Sequence, residues 1–240
     1  MAFTKENVVK FNSSAKDPYY KFSNFHNSPF NLKEEHLSTT FKTIFPEISK
    51  WITAQDGVTF PSSEHAWHSL KSGNLETFLK FCDDGEFTTL QSEFFSKFLK
   101  KMSLDDAEKK VKYWGRKKQF GIVARLAVSD PERDEIVGVK GGINRASRET
   151  LFKTNEDEAT VWKDILRQKY LQNKDLLDAL LKTDGKYLLE FSVSAKRNAI
   201  KEKNPIVERY AGFIDEDGKL YGENRMGVLL AELRDELADE

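Results

Sequence analysis

Apolar side chains recur at helical spacing along much of the chain. The longest such stretch predicts a helix over about 87–102, through Leu90, Phe94, Phe98, Leu99 and Met102. A second helix should start at Ser103 and run toward Trp114, because Ser103 with Asp106 three residues later resembles a capping box. The same spacing predicts further helices over 157–171, over Leu176–Leu181 up to Asp184-Gly185, and around Val228–Leu233.

A strand followed directly by a helix is expected in the first third of the chain. Val58-Thr59-Phe60 predicts a short strand that ends at Pro61. The helix should run from Glu64 to about Ser72, with Ser62 or Ser63 as its cap, because a Ser oxygen accepts an N–H group of the first turn.

The remaining segments complete an α+β pattern. Tyr187-Leu188-Leu189-Glu190-Phe191 predicts a buried strand, and short strands and turns are expected around 22–25 and 28–30. Residues 129–156 should form an exposed insertion, and 194–221 are polar and irregular. Because no linker interrupts the chain, the sequence predicts one mostly α-helical domain over 1–240, with a few short strands.

The composition is that of a folded protein without a strong charge bias. Among 240 residues, 18 Phe, 7 Tyr and 4 Trp supply an apolar content that disordered chains lack. The 38 basic and 39 acidic residues give a net charge of −1, so no global basic excess indicates nucleic acid. No apolar run approaches the roughly 18 residues of a membrane span, and the N-terminus lacks a signal stretch. We therefore expect a cytoplasmic protein with no membrane partner.

The segment from Pro61 to Lys71 carries the most informative polar groups. Glu64 and Lys71 are seven residues apart, about 700° of helical rotation, so both face the same way, with His68 between them. Helical side chains lean toward the N-terminus, so the Lys71 amine can reach back toward Glu64. The spacing predicts a carboxylate, an imidazole and an amine in one row. A solvated helix face with an ordinary charge pair fits the same spacing.

Three other segments have polar groups that suit ligand binding. Ser23-Asn24-Phe25 offers an amide that either holds a substrate hydroxyl or ties a turn. Lys112–Lys118, which includes Arg116, either contacts phosphate or nucleic acid or is the basic end of a helix. Gly222–Gly227 places Asn224 before the last helix, where backbone N–H groups either meet an anion or form a turn and cap.

Several familiar sites do not fit the residues present. His65 and His68 are three apart and belong to no His-Glu-x-x-His motif, so we expect no metal ion. Gly138–Gly142 lacks the Gly-Lys-Ser/Thr that ends a phosphate loop, and no cofactor is expected. Cys82 precedes two aspartates, which should raise the pKa of its thiol and weaken it as a nucleophile.

Taken in chain order, these segments resemble the YbiA-like N-glycosidase family, also called the NADAR family. The matching segments span roughly residues 22–234 and are Ser23-Asn24-Phe25, Phe60-Pro61-Ser62-Ser63-Glu64-His65 with Lys71, Gly115-Arg116, Lys169-Tyr170-Leu171-Gln172-Asn173, Leu188-Leu189-Glu190, and Gly222-Glu223-Asn224-Arg225-Met226-Gly227 with Arg234. Compared with that pattern, segments at about 122–157 and 194–221 look like insertions. The resemblance implies a YbiA-like fold.

The resemblance also implies an enzyme that hydrolyses a ribose C1–N bond. Family activities include hydrolysis of riboflavin-pathway ribosylamino intermediates and removal of ADP-ribose from guanine, so the expected partner is a ribosylated nucleobase, or a small molecule or nucleic acid that carries ADP-ribose. A neutral Lys71 amine could attack C1 to give a Schiff-base type adduct, while Glu64 holds a ribose hydroxyl or passes a proton. The residues implied to bind substrate are Ser23, Asn24, Phe25, His65, His68, Arg116, Glu190 and Asn224.

One departure from the family pattern keeps two other functions open. After the Leu-x-Glu strand the family usually has an acidic residue and a nearby Trp-Gly, but this chain has Phe191–Arg197 there and no Trp after Trp162. The first alternative is a non-catalytic protein that binds ADP-ribose or another NAD-derived nucleotide. The second is a nucleic-acid interaction protein that uses Lys112–Lys118 and Lys196–Lys203, with an affinity that falls steeply with salt.

Overall fold

The protein is described by a computed structural model over residues 3, 6–85, 87–88, 103–116, 118, 121–128, 151–200 and 208–240. The helices are α1 (Thr39–Ile44), α2 (Pro46–Ala54), α3 (Ser63–Leu70), α4 (Leu75–Leu79), α5 (Leu104–Arg116), α6 (Gly121–Val128), α7 (Asn155–Gln172), α8 (Lys174–Leu181), α9 (Val193–Ile200) and α10 (Arg225–Ala238). The strands are β1 (Val8–Phe11), β2 (Phe30–Leu32), β3 (Val58–Phe60), β4 (Tyr187–Glu190), β5 (Phe213–Ile214) and β6 (Leu220–Tyr221), and short 3-10 helices cover Tyr19–Phe22 and Glu34–His36. The fold is therefore α+β and mostly helical, as predicted.

Most elements with a strong apolar period lie where the sequence predicts them. The predicted strand–helix pair is β3 and α3, and Ser62 is the cap, since its Oγ accepts the His65 N–H. The predicted capping box at the start of α5 is confirmed in its first half, because Ser103 Oγ accepts the Asp106 N–H. The Asp106 carboxylate then accepts the Ser103 hydroxyl. The other confirmed elements are α7, α8, β4 and α10. Residues 89–102 and 129–150, which carry the predicted helix over 87–102 and the core of the expected insertion, lie outside the described residues.

The prediction of irregular structure over 194–221 is wrong in part. Within it, Val193–Ile200 is a helix that starts where Ser192 Oγ accepts the Ala195 N–H, and β5 and β6 pair as an antiparallel hairpin. Of the strands and turns predicted around 22–25 and 28–30, the turn lies at Asn24 and Phe25 after a 3-10 helix, and the strand is β2, which begins at Phe30. Helices α1, α2 and α4 were not predicted. The starting signals of α1 and α4, Ser38 and Asn74, precede only six and five helical residues, too few to show a period.

The chain divides into two compact units. The terminal unit comprises Met1–Ser23 with Lys174–Glu240, and the central unit comprises Asn24–Asn173. The described part of the central unit contains one two-stranded pairing, β2 with β3, and that of the terminal unit contains two, β1 with β4 and β5 with β6.

In the central unit, helix α7 covers the free edge of strand β2. Strands β2 and β3 are antiparallel, with Phe30 opposite Phe60. The Gln172 amide donates to the Asn31 carbonyl and accepts the Asn31 N–H, both at 2.7 Å, and Gln168 Oε1 accepts the Lys33 N–H at 2.6 Å. Two glutamines four apart lie on one helix face, so their amides can pair with alternate residues of a strand. They satisfy an edge that would otherwise be open to pairing.

An aromatic stack fixes α3 against α7. The Trp67 ring lies 4.5 Å from the Trp162 ring and 5.4 Å from the Phe152 ring, centroid to centroid, and both pairs are stacked. Trp67 and Trp162 are buried, so this stack is part of the core of the central unit. It holds one side of α3 and leaves another side for the polar residues of that helix.

In the terminal unit, helix α10 begins directly against strand β4. Strands β1 and β4 are parallel, with Val8 opposite Tyr187. A Cβ atom on Gly227, in the first turn of α10, would lie 2.1 Å from the Leu188 carbonyl oxygen, so only glycine permits this approach. Farther along α10, the buried Arg234 guanidinium donates to the Thr183 and Lys186 carbonyls after α8.

Candidate active site

The start of α3 is fixed by a short network of buried side chains. The Asn24 carbonyl accepts the Glu64 N–H at 3.1 Å, and the Asn24 side-chain oxygen accepts the Ser63 hydroxyl at 3.0 Å. The fully buried Lys169 ammonium donates to Ser63 Oγ at 3.3 Å. Asn24 therefore places Glu64 through its backbone carbonyl, and its side-chain oxygen is satisfied inside the protein.

His65 is used on both ring nitrogens by the protein itself. Its Nε2 lies 3.1 Å from the Phe87 carbonyl, which can only accept, so Nε2 carries the proton. The other nitrogen, Nδ1, then accepts the Ser62 hydroxyl at 2.8 Å. Burial lowers the pKa of His65 to about 4, although the Phe87 carbonyl and Glu64 act to raise it. His65 was predicted to bind substrate, but in the structure its neutral ring links α3 to Phe87 through hydrogen bonds.

Glu64 and His68 form a buried pair one helical turn apart. His68 Nε2 lies 2.9 Å from Glu64 Oε1, and the side chains are 5% and 12% exposed, respectively. Burial lowers the pKa of His68 to about 4, and the Lys71 charge acts in the same direction against Glu64. Burial alone would raise the pKa of Glu64, but His68, Arg125 and Lys71 together hold it below its ordinary value. At neutral pH the pair is thus a carboxylate that accepts a hydrogen bond from a neutral imidazole.

That pairing leaves one polar atom of His68 unused. With the proton on Nε2, Nδ1 is a hydrogen-bond acceptor. Nδ1 is buried and has no hydrogen-bond partner among the residues that the structure describes. Buried acceptors in folded proteins are normally satisfied, so Nδ1 can accept a hydrogen bond from a donor that is not part of the chain, either a water molecule or a ligand group.

Lys71 completes the row predicted from the sequence. It is the C-terminal cap residue of α3, half-buried, and its amine lies 5.7 Å from the centre of the Trp67 ring. Its charge contributes to the lowered pKa values of both Glu64 and His68. We call Glu64, His68 and Lys71 the α3 row.

Two residues next to the row were missed by the sequence analysis. Gly121 starts α6, and a Cβ atom there would lie 2.7 Å from Phe25 Cα and 2.9 Å from Glu64 Cβ. The Arg125 guanidinium, one turn later, lies 5.6 Å from the Phe25 ring centre and lowers the pKa of Glu64. The tight contact at Gly121 brings α6 close enough for that charge to act on the row. A glycine opening an apolar run was the available signal.

The other residues predicted to bind substrate are distributed over both units. In the central unit, the Phe25 carbonyl accepts the Gly121 N–H at 2.9 Å, and Arg116 is the exposed last residue of α5. The remaining three, Ser23, Glu190 and Asn224, belong to the terminal unit. There Ser23 is buried at the end of the 3-10 helix Tyr19–Phe22, and Glu190 ends β4.

Asn224 is bonded entirely to its own unit. Its side-chain oxygen accepts the Glu190 N–H at 2.9 Å, and its side-chain nitrogen donates to the Leu188 carbonyl and the Tyr187 hydroxyl. The residue is fully buried and has left-handed backbone angles, with φ at 50°. An asparagine tolerates that conformation better than most residues. The Gly222–Gly227 segment thus joins the start of α10 to the edge of β4.

A separate cleft of about 720 Å³ lies beside β3 and α4. Its lining includes Trp51, Leu79 and Cys82 but no residue of the α3 row. Burial, with help from Asp84 and Asp83, raises the pKa of the Cys82 thiol to about 12, which agrees with the expectation of a poor nucleophile. Within the described ranges, no three His, Cys, Asp or Glu side chains group as metal ligands would.

Comparisons with known proteins add one structural similarity. No family model matches the chain, and no curated protein matches it. Among solved structures, the NMR structure of the E. coli protein YbiA is similar to this chain, with 20% sequence identity and a TM-score of 0.44 over 99% of this chain and 89% of that one. None of the helices in the described residues has the length and apolar content needed to cross a membrane.

Proposed function

We propose that the protein is an N-glycosidase that hydrolyses the bond between ribose C1 and a nitrogen of a nucleobase or related amine. The α3 row carries the proposal, because it combines a buried carboxylate, a neutral imidazole and an amine on one helix. The ordered sequence motifs that resemble N-glycosidases support the same reaction class. An ADP-ribosylated guanine or a ribosylamino intermediate would supply such a bond.

Lys71 is the proposed nucleophile. In the ligand-free protein its amine is charged, so it first gives a proton to the Glu64 carboxylate. The neutral amine then attacks C1, and the C1–N bond breaks with its electron pair going to the leaving base. The base takes up a proton as the attacking nitrogen loses one, so the overall charge is unchanged. The sugar ring of the adduct opens to a Schiff base, and water then adds at C1 to release the sugar and the amine. Burial of the row keeps competing water away from the earlier steps.

Glu64 is the proposed proton carrier and ribose ligand. The leaving base departs more easily when it is protonated, and a positioned carboxyl group can deliver that proton. Its ionised form also favours the positive charge that develops at C1 in an oxocarbenium-like state. The hydrogen bond from His68 fixes the direction in which the Glu64 carboxylate points.

The test compares Lys71→Ala with Lys80→Ala. Lys80 is a matched control because it is also the C-terminal cap residue of a short helix, α4, and pairs with a glutamate of its own helix. Guanosine released from an ADP-ribosylated guanosine, and the aminopyrimidine released from a ribosylamino pyrimidine, are measured by chromatography. We expect release with the unchanged protein and with Lys80→Ala, and none with Lys71→Ala. Borohydride added during turnover should attach the sugar to Lys71, as mass spectrometry would show.

Other outcomes separate the alternatives. Full turnover by Lys71→Ala would overturn the site assignment. Calorimetric binding of ADP-ribose without release of base from either substrate would favour a non-catalytic nucleotide-binding protein. Affinity for unmodified nucleic acid that falls steeply with salt would favour the nucleic-acid interaction protein.

A further inference from the structure

The unused nitrogen of His68 indicates a hydrogen-bond donor that arrives with a ligand. His68 is 4% exposed as a residue, and its Nδ1 has no hydrogen-bond partner within the described part of the chain. A buried acceptor of this kind destabilises the ligand-free protein unless a donor reaches it. His65, one turn earlier, provides the contrast, because both of its nitrogens are hydrogen-bonded.

The chemistry of the pair limits which ligand groups can bind Nδ1. Glu64 accepts from Nε2 of His68, so the imidazole keeps its proton there and Nδ1 offers only a lone pair. A phosphate, a carboxylate or a carbonyl therefore cannot bind Nδ1. A hydroxyl group can donate to it and has a small enough volume to enter a buried position.

The position of His68 next to Lys71 indicates which hydroxyl group of a sugar would donate to Nδ1. His68 and Lys71 are three residues apart, so they are neighbours on the helix face. If Lys71 reacts at C1, the group beside it faces the adjacent carbon of the sugar, which carries the 2-hydroxyl. Glu64 and Lys71 on either side keep part of their surface exposed, whereas Nδ1 itself is buried, so binding there requires neighbouring side chains to shift.

We propose that His68 Nδ1 accepts a hydrogen bond from the ribose 2-hydroxyl and thereby makes the site selective for ribosyl over 2-deoxyribosyl ligands. This inference rests on the proposed function, since it places the sugar on the α3 row. A sugar without the 2-hydroxyl would leave Nδ1 buried and unsatisfied in the complex, and such a loss discriminates strongly between otherwise similar ligands.

The test is a binding cycle that needs no turnover. The ligands are D-ribose 5-phosphate, 2-deoxy-D-ribose 5-phosphate and, as a control for the neighbouring position, 3-deoxy-D-ribose 5-phosphate, with Kd measured by calorimetry. We expect the unchanged protein to bind the 2-deoxy sugar about tenfold to hundredfold more weakly than ribose 5-phosphate, which is the usual range for one lost hydrogen bond to a buried group. His68→Phe should bind the two sugars equally.

His65→Gln is the matched control for His68→Phe. It changes a buried histidine of the same helix, so it should lower stability while the ribose to 2-deoxyribose ratio of Kd values stays as in the unchanged protein. If His68→Phe does not fold, His68→Gln replaces it. The Gln side-chain nitrogen can still donate to Glu64, but its oxygen does not occupy the Nδ1 position, so the ratio should fall here as well.

A second readout uses nitrogen-15 NMR of the histidine rings. In the free protein, the His68 signals should be those of a neutral ring protonated at Nε2, and the Nδ1 signal should move upfield when ribose 5-phosphate, but not the 2-deoxy sugar, is added. Equal Kd values for ribose 5-phosphate and 2-deoxyribose 5-phosphate in the unchanged protein would overturn the inference. A His68→Phe protein that loses discrimination only against the 3-deoxy sugar would also overturn it. If the sugars bind with the expected selectivity but no substrate is cleaved, the proposed function fails and the His68 inference stands.

Discussion

The segments Phe60–Lys71 and Gly222–Arg234 are both rich in polar residues that the sequence marks as functional, but they use those residues differently. In the second segment, the Asn224 amide and the Arg234 guanidinium are bonded to backbone groups of their own unit. In the first segment, Ser62 and His65 are likewise bonded within their own unit, whereas the α3 row retains a buried carboxylate–imidazole pair and an unused acceptor.

The difference between the segments separates residues that stabilise the fold from residues that have polar groups left for a ligand or a reaction. A polar side chain whose hydrogen-bonding atoms all bind protein groups stabilises the fold and has nothing left for a ligand. A buried pair such as Glu64 and His68 is expensive to maintain, because desolvation opposes it. Groups of that kind occur where pKa values must be adjusted for a reaction, although structural ion pairs also produce them. Variants in the α3 row should therefore be tested with substrate assays, and variants in Gly222–Arg234 with measurements of stability.

The largest expected effect is on turnover, from Glu64→Gln. Glutamine keeps an oxygen that accepts from His68 but carries neither charge nor a transferable proton. We expect the rate of base release to fall by about 10²- to 10⁴-fold, the usual contribution of a positioned acid or base, while the free energy of unfolding changes by less than about 1 kcal/mol.

Glu76→Gln is the control for that change. Glu76 lies in the first turn of α4, as Glu64 lies in the first turn of α3, but its side chain is 86% exposed. It should alter neither turnover nor stability. A Glu64→Gln protein that unfolds at much lower denaturant while its turnover persists would place the α3 row with the architectural residues and remove the contrast.

The sequence was most informative where a period or a spacing had a direct geometric meaning. The seven-residue spacing of Glu64 and Lys71 predicted a shared face, and the structure has Glu64 in the first turn of α3 and Lys71 as its cap residue. Helices α5, α7, α8 and α10 followed from their apolar periods. Spacing could not show that Trp67 would stack on Trp162 and leave the polar side of α3 partly open, because that contact joins residues 95 positions apart.

The tasks of single polar residues could not be predicted, because they depend on partners that are distant in the chain. Gln172 in the Lys169–Asn173 motif pairs with the backbone of Asn31, and Asn224 pairs with β4. Either residue could equally have bound a ligand, as far as the sequence shows. Arg125 was missed for the same reason, since its effect on Glu64 arises from the packing of α6 at Gly121.

The second effect is on stability, from Asn224→Ala. The change leaves the Glu190 N–H and Leu188 carbonyl of β4 without their side-chain partner in a fully buried position. We expect the free energy of unfolding to fall by about 3 kcal/mol, the upper end for leaving a buried group unsatisfied, as measured by urea denaturation. Turnover per folded molecule should not change. Unaltered stability with lost ligand binding would instead make Asn224 a binding residue and break the contrast between the two segments.

The smallest expected effect concerns His65, which by its bonds belongs with the architectural residues although it lies in α3. Its pKa is lowered from 6.5 to about 4 in the folded protein, mainly by burial. Between those values the unfolded chain binds a proton that the folded protein does not, so the stability from this histidine is complete above about pH 6.5 and declines as the pH falls toward 4. Between pH 7 and pH 5 the loss should be about 2 kcal/mol.

His65→Asn should remove that part of the pH dependence. Glu64 adds little to the change in stability between pH 7 and pH 5, because its pKa is lowered from 4.5 and its contribution to stability declines only at lower pH. Urea denaturation of both proteins at pH 7 and pH 5 measures the difference, and equal losses in the two proteins would show that His65 is not held neutral by its place in the fold.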